Sequence, residues 1–79
     1  MHSKVAWRDS RLVCALADEE RHLGHVVRTG GRWHAFDATH PNDAGTGFRM
    51  LGTFAGLMAA KEAVERAALR GRLAMRGAA

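Results

Sequence analysis

Residues 26–36 read Val-Val-Arg-Thr-Gly-Gly-Arg-Trp-His-Ala-Phe, and their reading decides the fold. Two runs rich in β-formers flank Gly30-Gly31. That dipeptide suits a two-residue hairpin turn, because both central positions of the favoured turn need positive φ. A turn there pairs Thr29 with Arg32, Arg28 with Trp33, Val27 with His34, Val26 with Ala35 and His25 with Phe36. Partners across an antiparallel pair share a face. One face therefore carries Arg28, Trp33, Val26 and Ala35, where Arg28 can stack on Trp33. The other carries Thr29, Arg32, Val27, His34, His25 and Phe36. The turn sets the register and leaves open which face is buried.

Upstream, Arg11–Ala17 (RLVCALA) is apolar at consecutive positions. A buried strand and a helix continued through Asp18-Glu19-Glu20-Arg21 both fit this run, and periodicity does not separate them. The strand is preferred, because Val13 and Cys14 are weak helix formers and Asp18–Arg21 can supply a turn. Lys4–Arg8 can pair with it through Asp9-Ser10. Downstream, His40–Gly47 (HPNDAGTG) gathers the only proline with Asn, Asp and two glycines, and reads as a loop. Phe48–Phe54 (FRMLGTF) reads as another strand, weakened at Gly52. From Leu57 onward, Leu57, Ala60, Val64, Ala67 and Ala68 fall on one side of a helix, with Ala63 beside them. Glu62, Glu65, Arg66 and Arg70 fall opposite. Gly71 interrupts the pattern, so the packed helix is expected to stop near Arg70. The sequence thus predicts an α+β fold: an antiparallel β-meander of three to five strands, then one C-terminal α-helix packed on one sheet face. Residues 1–70 form the single domain in this reading, and 71–79 a flexible basic C-terminal tail.

Length and composition bound the function. Seventy-nine residues, 47% hydrophobic and 25% charged, suit one small domain. A chain of that size buries only about 60% of the surface its unfolded form exposes. The single Cys14 rules out a disulfide framework or a multi-cysteine zinc site. No apolar run reaches the ~18–20 residues of a membrane span, and MHSKVAWRDS lacks the apolar stretch of a secretory leader. A reducing, cytoplasmic setting is expected, with no membrane partner. The net charge is +4 and lies mostly at the C-terminal end. Residues 1–60 hold seven Lys/Arg against six Asp/Glu, and 61–79 hold five against two. A basic end attracts phosphate, and it also keeps a small protein soluble.

Catalytic and metal chemistry find little footing. Five histidines are present, but i and i+3 positions of a regular strand point to opposite faces, so His22 and His25 make no ligand pair there. No metal site and no cofactor are expected. Cys14 sits in an apolar run and reads as a buried, inert thiol. Ser3 and Ser10 lack a nucleophile elbow, and Asp18-Glu19-Glu20 reads as a solvated turn. Gly45-Thr46-Gly47 lacks the lysine and helix N-terminus of a phosphate cradle. No enzyme activity and no small-molecule substrate are inferred. Trp7 and Trp33 are expected in the core, where so small a domain needs its largest side chains.

The motif order Gly30-Gly31-Arg32-Trp33, then Gly47–Phe54 (GFRMLGTF), then a helix with Ala60, Ala63 and Val64 resembles known DNA-binding domains. It is similar to the three-strand-plus-helix domains of the plant ethylene-response family and to the arm-site domains of phage integrases. The resemblance covers about residues 24–70. It implies a three-stranded sheet laid in the DNA major groove, with the helix on the other face. Carried over, Arg28 matches a DNA-contacting arginine of the first strand, and Arg32 the basic residue before the strand aromatic. His34 and Phe36 fall on the DNA-facing alternation. The chain also departs from the families. Phe36, Ala38, Phe48 and Met50 occupy positions that are rich in Arg and Trp there, and Asp37 falls where an apolar, helix-facing residue belongs. A β-bulge would swap such faces.

Two functional readings follow. In the first, a non-catalytic domain binds nucleic acid, DNA or RNA, through its sheet, with Arg28, Arg32, His34 and Arg49 as contacts. In the second, Phe36, Phe48 and Met50 form an apolar face for self-association or for a protein partner.

Overall fold

The computed structural model describes residues 5–19, 21–41 and 47–77, with backbone alone at 40–41 and 71–77. Five strands come first: β1 (Ala6–Asp9), β2 (Val13–Ala17), β3 (His22–Thr29), β4 (Arg32–Pro41) and β5 (Phe48–Phe54). They form one antiparallel sheet in the order β1-β2-β3-β4-β5. A single helix, α1 (Leu57–Gly77), packs on one side of it, against β3, β4 and β5. The fold is α+β, a meander of five strands capped by one helix. No helix among the described residues is long and apolar enough to cross a membrane.

The central hairpin forms in the register that Gly30-Gly31 implies, from Thr29↔Arg32 through His25↔Phe36. Gly30 and Gly31 have φ of 61° and 76°, the left-handed conformation that the turn requires. Residues 13–17 are strand, which resolves the upstream ambiguity. The β1–β2 turn is closed by the Ser10 amide and hydroxyl, each donating to the Val13 carbonyl at 2.8 Å. At the next turn the Asp18 carboxylate accepts from the Arg21 amide at 2.8 Å. Strand β1 includes Asp9 and β2 begins at Val13, so their turn lies at residues 10–12 and not at Asp9-Ser10. Two later boundaries also differ from expectation. Strand β4 runs on through His40 and Pro41, so pairing extends into the segment expected as loop. Helix α1 continues past Arg70 to Gly77. Arg70 therefore ends the apolar stripe rather than the helix. Lys4, Glu20, the loop segment 42–46, and the tail's side chains from 71 onward lie outside the described residues.

The helix settles which face is buried. Val26 and Ala35 are fully covered, together with Cys14, Leu16 and Leu23 of the sheet and Ala60, Val64, Ala67 and Ala68 of α1. Trp7 and Trp33 are half-buried and pack against this cluster. The stripe of small residues lets α1 sit close to the sheet. Gly24 lies directly beneath it: a Cβ there would stand 2.6 Å from Val64 Cγ1 and 2.7 Å from the Phe36 carbonyl oxygen. The edge strand is tied down as well. Trp7 Nε1 donates to Glu65 at 2.9 Å, and Lys61 donates to Asp9 at 2.9 Å while lying 4.8 Å from the Trp7 ring centroid.

The register shifts at three places, one of them between Asp37 and Pro41 of β4, and the other two are β-bulges that divide the side chains between the faces. Leu16 pairs with Gly24 but Ala17 with His22, so Leu23 is an extra residue in β3. Ala35 pairs with Gly52 but Phe36 with Met50, so Leu51 is extra in β5. Each bulge sends its leucine toward the helix and reverses the alternation beyond it. His22, Met50 and Phe48 are thereby turned to the uncovered face.

Asp37 is the one buried charged residue among those described, at 0% exposure. It faces the helix, at the position where the resemblance calls for an apolar side chain. Its carboxylate accepts from the Thr39 amide at 2.8 Å and the Thr39 hydroxyl at 2.6 Å, and pairs with Arg49 at 3.3 Å. A buried carboxylate persists only when so satisfied.

Two outcomes follow from this packing. Gly24→Ala is expected to destabilise the fold by about 1–3 kcal/mol through overpacking. Denaturant unfolding would show it as a lower midpoint with the slope unchanged, and wild-type stability would contradict the close approach. Arg49→Met is expected to cost about 1–3 kcal/mol, because it leaves the Asp37 charge buried with one partner fewer. Arg49→Lys, which keeps the charge, should recover part of that loss in the same measurement.

Candidate binding face of the sheet

The one helix packs on a single side, and among the described residues nothing packs on the second face of the sheet. Strand alternation, corrected for the two bulges, sets what it presents. One row crosses all five strands: Arg8, Ala15, His25, Phe36 and Met50. The neighbouring row holds Val13, Val27, His34 and Thr53. Arg32 and Thr29 stand at the hairpin end, and His22 with Phe48 at the other.

The rings form a cluster. His25 stacks on Phe36 with centroids 4.9 Å apart and planes 18° from parallel. His22 stacks on His25 at 5.2 Å, and Phe48 meets both histidines edge-on, at 5.6 and 4.9 Å. His22 Nε2 and His25 Nδ1 lie 3.0 Å apart, so one ring donates a hydrogen bond to the other. The bulge at Leu23 makes this contact possible and corrects the expectation that the two rings oppose each other. Partial burial, and then the neighbouring His22, hold the His25 imidazole below its ordinary range. His34 Nδ1 lies 3.0 Å from the Thr53 hydroxyl. Phe48 and Met50 are each 52% exposed, large values for apolar side chains beside one another.

Charge is sorted between the faces. Among the described residues, no strand places a carboxylate on the open face. Asp9 and Asp37 point to the helix side, bonded to Lys61 and Arg49. Glu65 accepts from Trp7, and Glu62 lies 3.9 Å from Arg66 on the helix itself. Among the described residues, Asp18 and Glu19 at the β2–β3 turn come close to Arg8 of this face. They line a hollow of about 190 Å³ with Ala6, Arg8 and Ala17.

The four residues expected to contact nucleic acid do not share a face. Arg32 and His34 are on the open side. Arg28 is on the helix side, its guanidinium 5.5 Å from the Trp33 ring centroid. Arg49 is also on the helix side, bonded to Asp37, with its Nε buried. Phe36, Phe48 and Met50, by contrast, are brought together. Sequence reasoning missed Arg8, His22 and His25. Arg8 was accessible to it, since a core Trp7 puts the next residue on the opposite face, and the hairpin turn already sets His25 beside Phe36; His22 joins them only through the bulge at Leu23. Away from this face, burial and then the Asp9 hydrogen bond push the Cys14 thiol up, as expected of an unreactive cysteine. Comparison of the chain with protein-family models, with curated proteins and with solved structures gives no match.

Proposed function

We propose that this chain is a small non-catalytic domain that binds single-stranded nucleic acid on the open face of its sheet. The observation that carries the reading is the sorting of charge and rings. The face combines Arg8, Arg32, three histidines and two phenylalanines, and no strand carboxylate opposes a phosphate there. Single-strand binders pair a basic surface with aromatic rings that bases stack on, and each stacked base contributes about 1–3 kcal/mol. Two arginines are few for a duplex, whose binders draw most of their affinity from many phosphate contacts. Exposed rings instead suit unpaired bases. The resemblance of the β3–α1 segment to domains that read duplex DNA with a sheet supports nucleic acid as the ligand class, while the open face here offers Arg8 and Arg32 and leaves Arg28 and Arg49 on the helix side.

A second reading has its own support. Phe48 and Met50, both half exposed, would suit self-association through the same face. One set of measurements separates the two. Titration of a labelled single-stranded oligonucleotide at low salt should give saturable binding, stronger than to a duplex of the same length. Arg32→Ala should reduce the salt slope by about 0.7 for one lost single-strand phosphate contact. Phe48→Ala should weaken binding by about 1–3 kcal/mol, with little change in that slope. Absence of binding at ~10⁻⁴ M, the weak end of non-specific affinity, would remove the nucleic-acid reading. A dimer in sedimentation that Phe48→Ala dissolves would then establish the second.

A further inference from the structure

We propose that the His22–His25 pair couples nucleic-acid binding to proton uptake, so that the open face binds more tightly as pH falls. The inference rests on the reading just given and adds a regulation to the same site. It starts from geometry. The facing nitrogens, His22 Nε2 and His25 Nδ1, are 3.0 Å apart and share one hydrogen. Protonating both puts a hydrogen on each facing nitrogen, which removes the hydrogen bond and sets two positive rings against each other. Among the described residues, the strands around the pair offer no carboxylate to relieve this. His25 has Ala15 across from it on β2 and Phe36 on β4, with Phe48 of β5 edge-on to its ring. His22 has Ala17 across from it and Phe48 edge-on. The charged and titratable groups that share the face among the described residues are Arg8 of β1 and Arg32 and His34 of β4. Arg21 precedes His22 at the β2–β3 turn, where Asp18 and Glu19 are the carboxylates among the described residues and Glu20 lies outside them. The charges of α1 lie beyond the sheet. Among the described residues, no carboxylate on the open face of the strands supplies a counter-charge for a second proton on the pair.

A phosphate backbone laid across the face supplies that counter-charge. It favours imidazolium, so the His25 midpoint must be higher in the complex than in the free chain, and by linkage binding takes up protons. The sign follows directly. Where the bound midpoint exceeds the free one, affinity rises as pH falls through the bound midpoint and levels off below the free one. The free protein behaves conversely. Its His25 imidazole is held below the ordinary range by burial and by His22, so the fold favours the neutral ring. That contribution to stability is fully present above about pH 6.5, the ordinary imidazole value, and is lost as pH falls through the folded midpoint.

The test uses the whole chain and a single-stranded oligonucleotide. Histidine ring resonances are followed by NMR from pH 5 to 8, with and without the oligonucleotide, and the dissociation constant is measured across the same range. The expected result is a His25 midpoint that moves up on binding, and an affinity that rises by up to about tenfold per pH unit for each proton taken up. His25→Gln should flatten that dependence. Binding with an unmoved His25 midpoint would overturn the coupling and leave the nucleic-acid reading standing. No binding at any pH would overturn both. The wild-type NMR titration decides the matter even if the variant fails to fold.

Discussion

The constraint on which the structure depends is the approach of one alanine-rich helix to a sheet that has a glycine beneath it. Val64 rests over Gly24 with no room for a methyl group, and Ala60, Ala67 and Ala68 keep the rest of the contact flat. Small residues on both sides let backbone approach backbone, as close packing requires. The consequence reaches further than the core. In the row Trp7–Leu16–Gly24–Asp37–Arg49 that passes under the helix, Asp37 is sealed from water. Its charge then demands Thr39 and Arg49, so an arginine of β5 is committed to the fold. The one helix packs on a single side, and among the described residues nothing packs on the second face.

The bulges make the two faces what they are. Leu23 and Leu51 are the inserted residues, and each adds a leucine to the helix side. Full burial of such a side chain contributes roughly 1.5–3 kcal/mol, a value Leu23 approaches and the half-buried Leu51 only partly reaches. The same insertions reverse the alternation beyond them, which places His22, Met50 and Phe48 on the open face beside His25 and Phe36. Core formation and the assembly of the ring cluster are thus one event. Removing either inserted residue would shift the register and return those side chains toward the helix.

How much of this was legible in the sequence follows from the range of each signal. Gly30-Gly31 specifies its own turn, and the turn fixes five cross-strand pairs, so the central hairpin could be read locally. The bounds of β5 and the stripe from Leu57 to Ala68 could be read from period and composition. A bulge is set by the neighbouring strand and by core volume; the isolated glycines Gly24 and Gly52 signal one without fixing which neighbour is inserted or which faces change. The face of His22 was hidden for that reason, whereas Met50 was already placed with Phe36 and Phe48. Arg28 was assigned as a nucleic-acid contact because it matches a DNA-contacting arginine in the resemblance, although the hairpin register already set it beside Trp33. The partner of Arg49, a buried Asp37, appears only when β4 and β5 are aligned. The helix end was misplaced because Gly71 lowers helix propensity by only about 1 kcal/mol, too little to stop a helix already formed.

Net charge is a poor guide to what the open face can do. The +4 of the chain is modest, and much of it lies toward the C-terminal end. What distinguishes the open face is that strand alternation has taken the carboxylates away from it. Asp9 and Asp37 are each held on the helix side by a cation, so the two arginines that remain opposite act without a neutralising strand neighbour. Arg8 and Arg32 stand at separate ends of that face, with rings and imidazoles between them. A ligand that spans them must offer negative charge at intervals and flat apolar surface between. A single nucleic-acid strand has that alternation in its covalent structure. A second copy of this face has the apolar surface but repeats the same positive charge, so pairing two copies would set like charges facing across the contact.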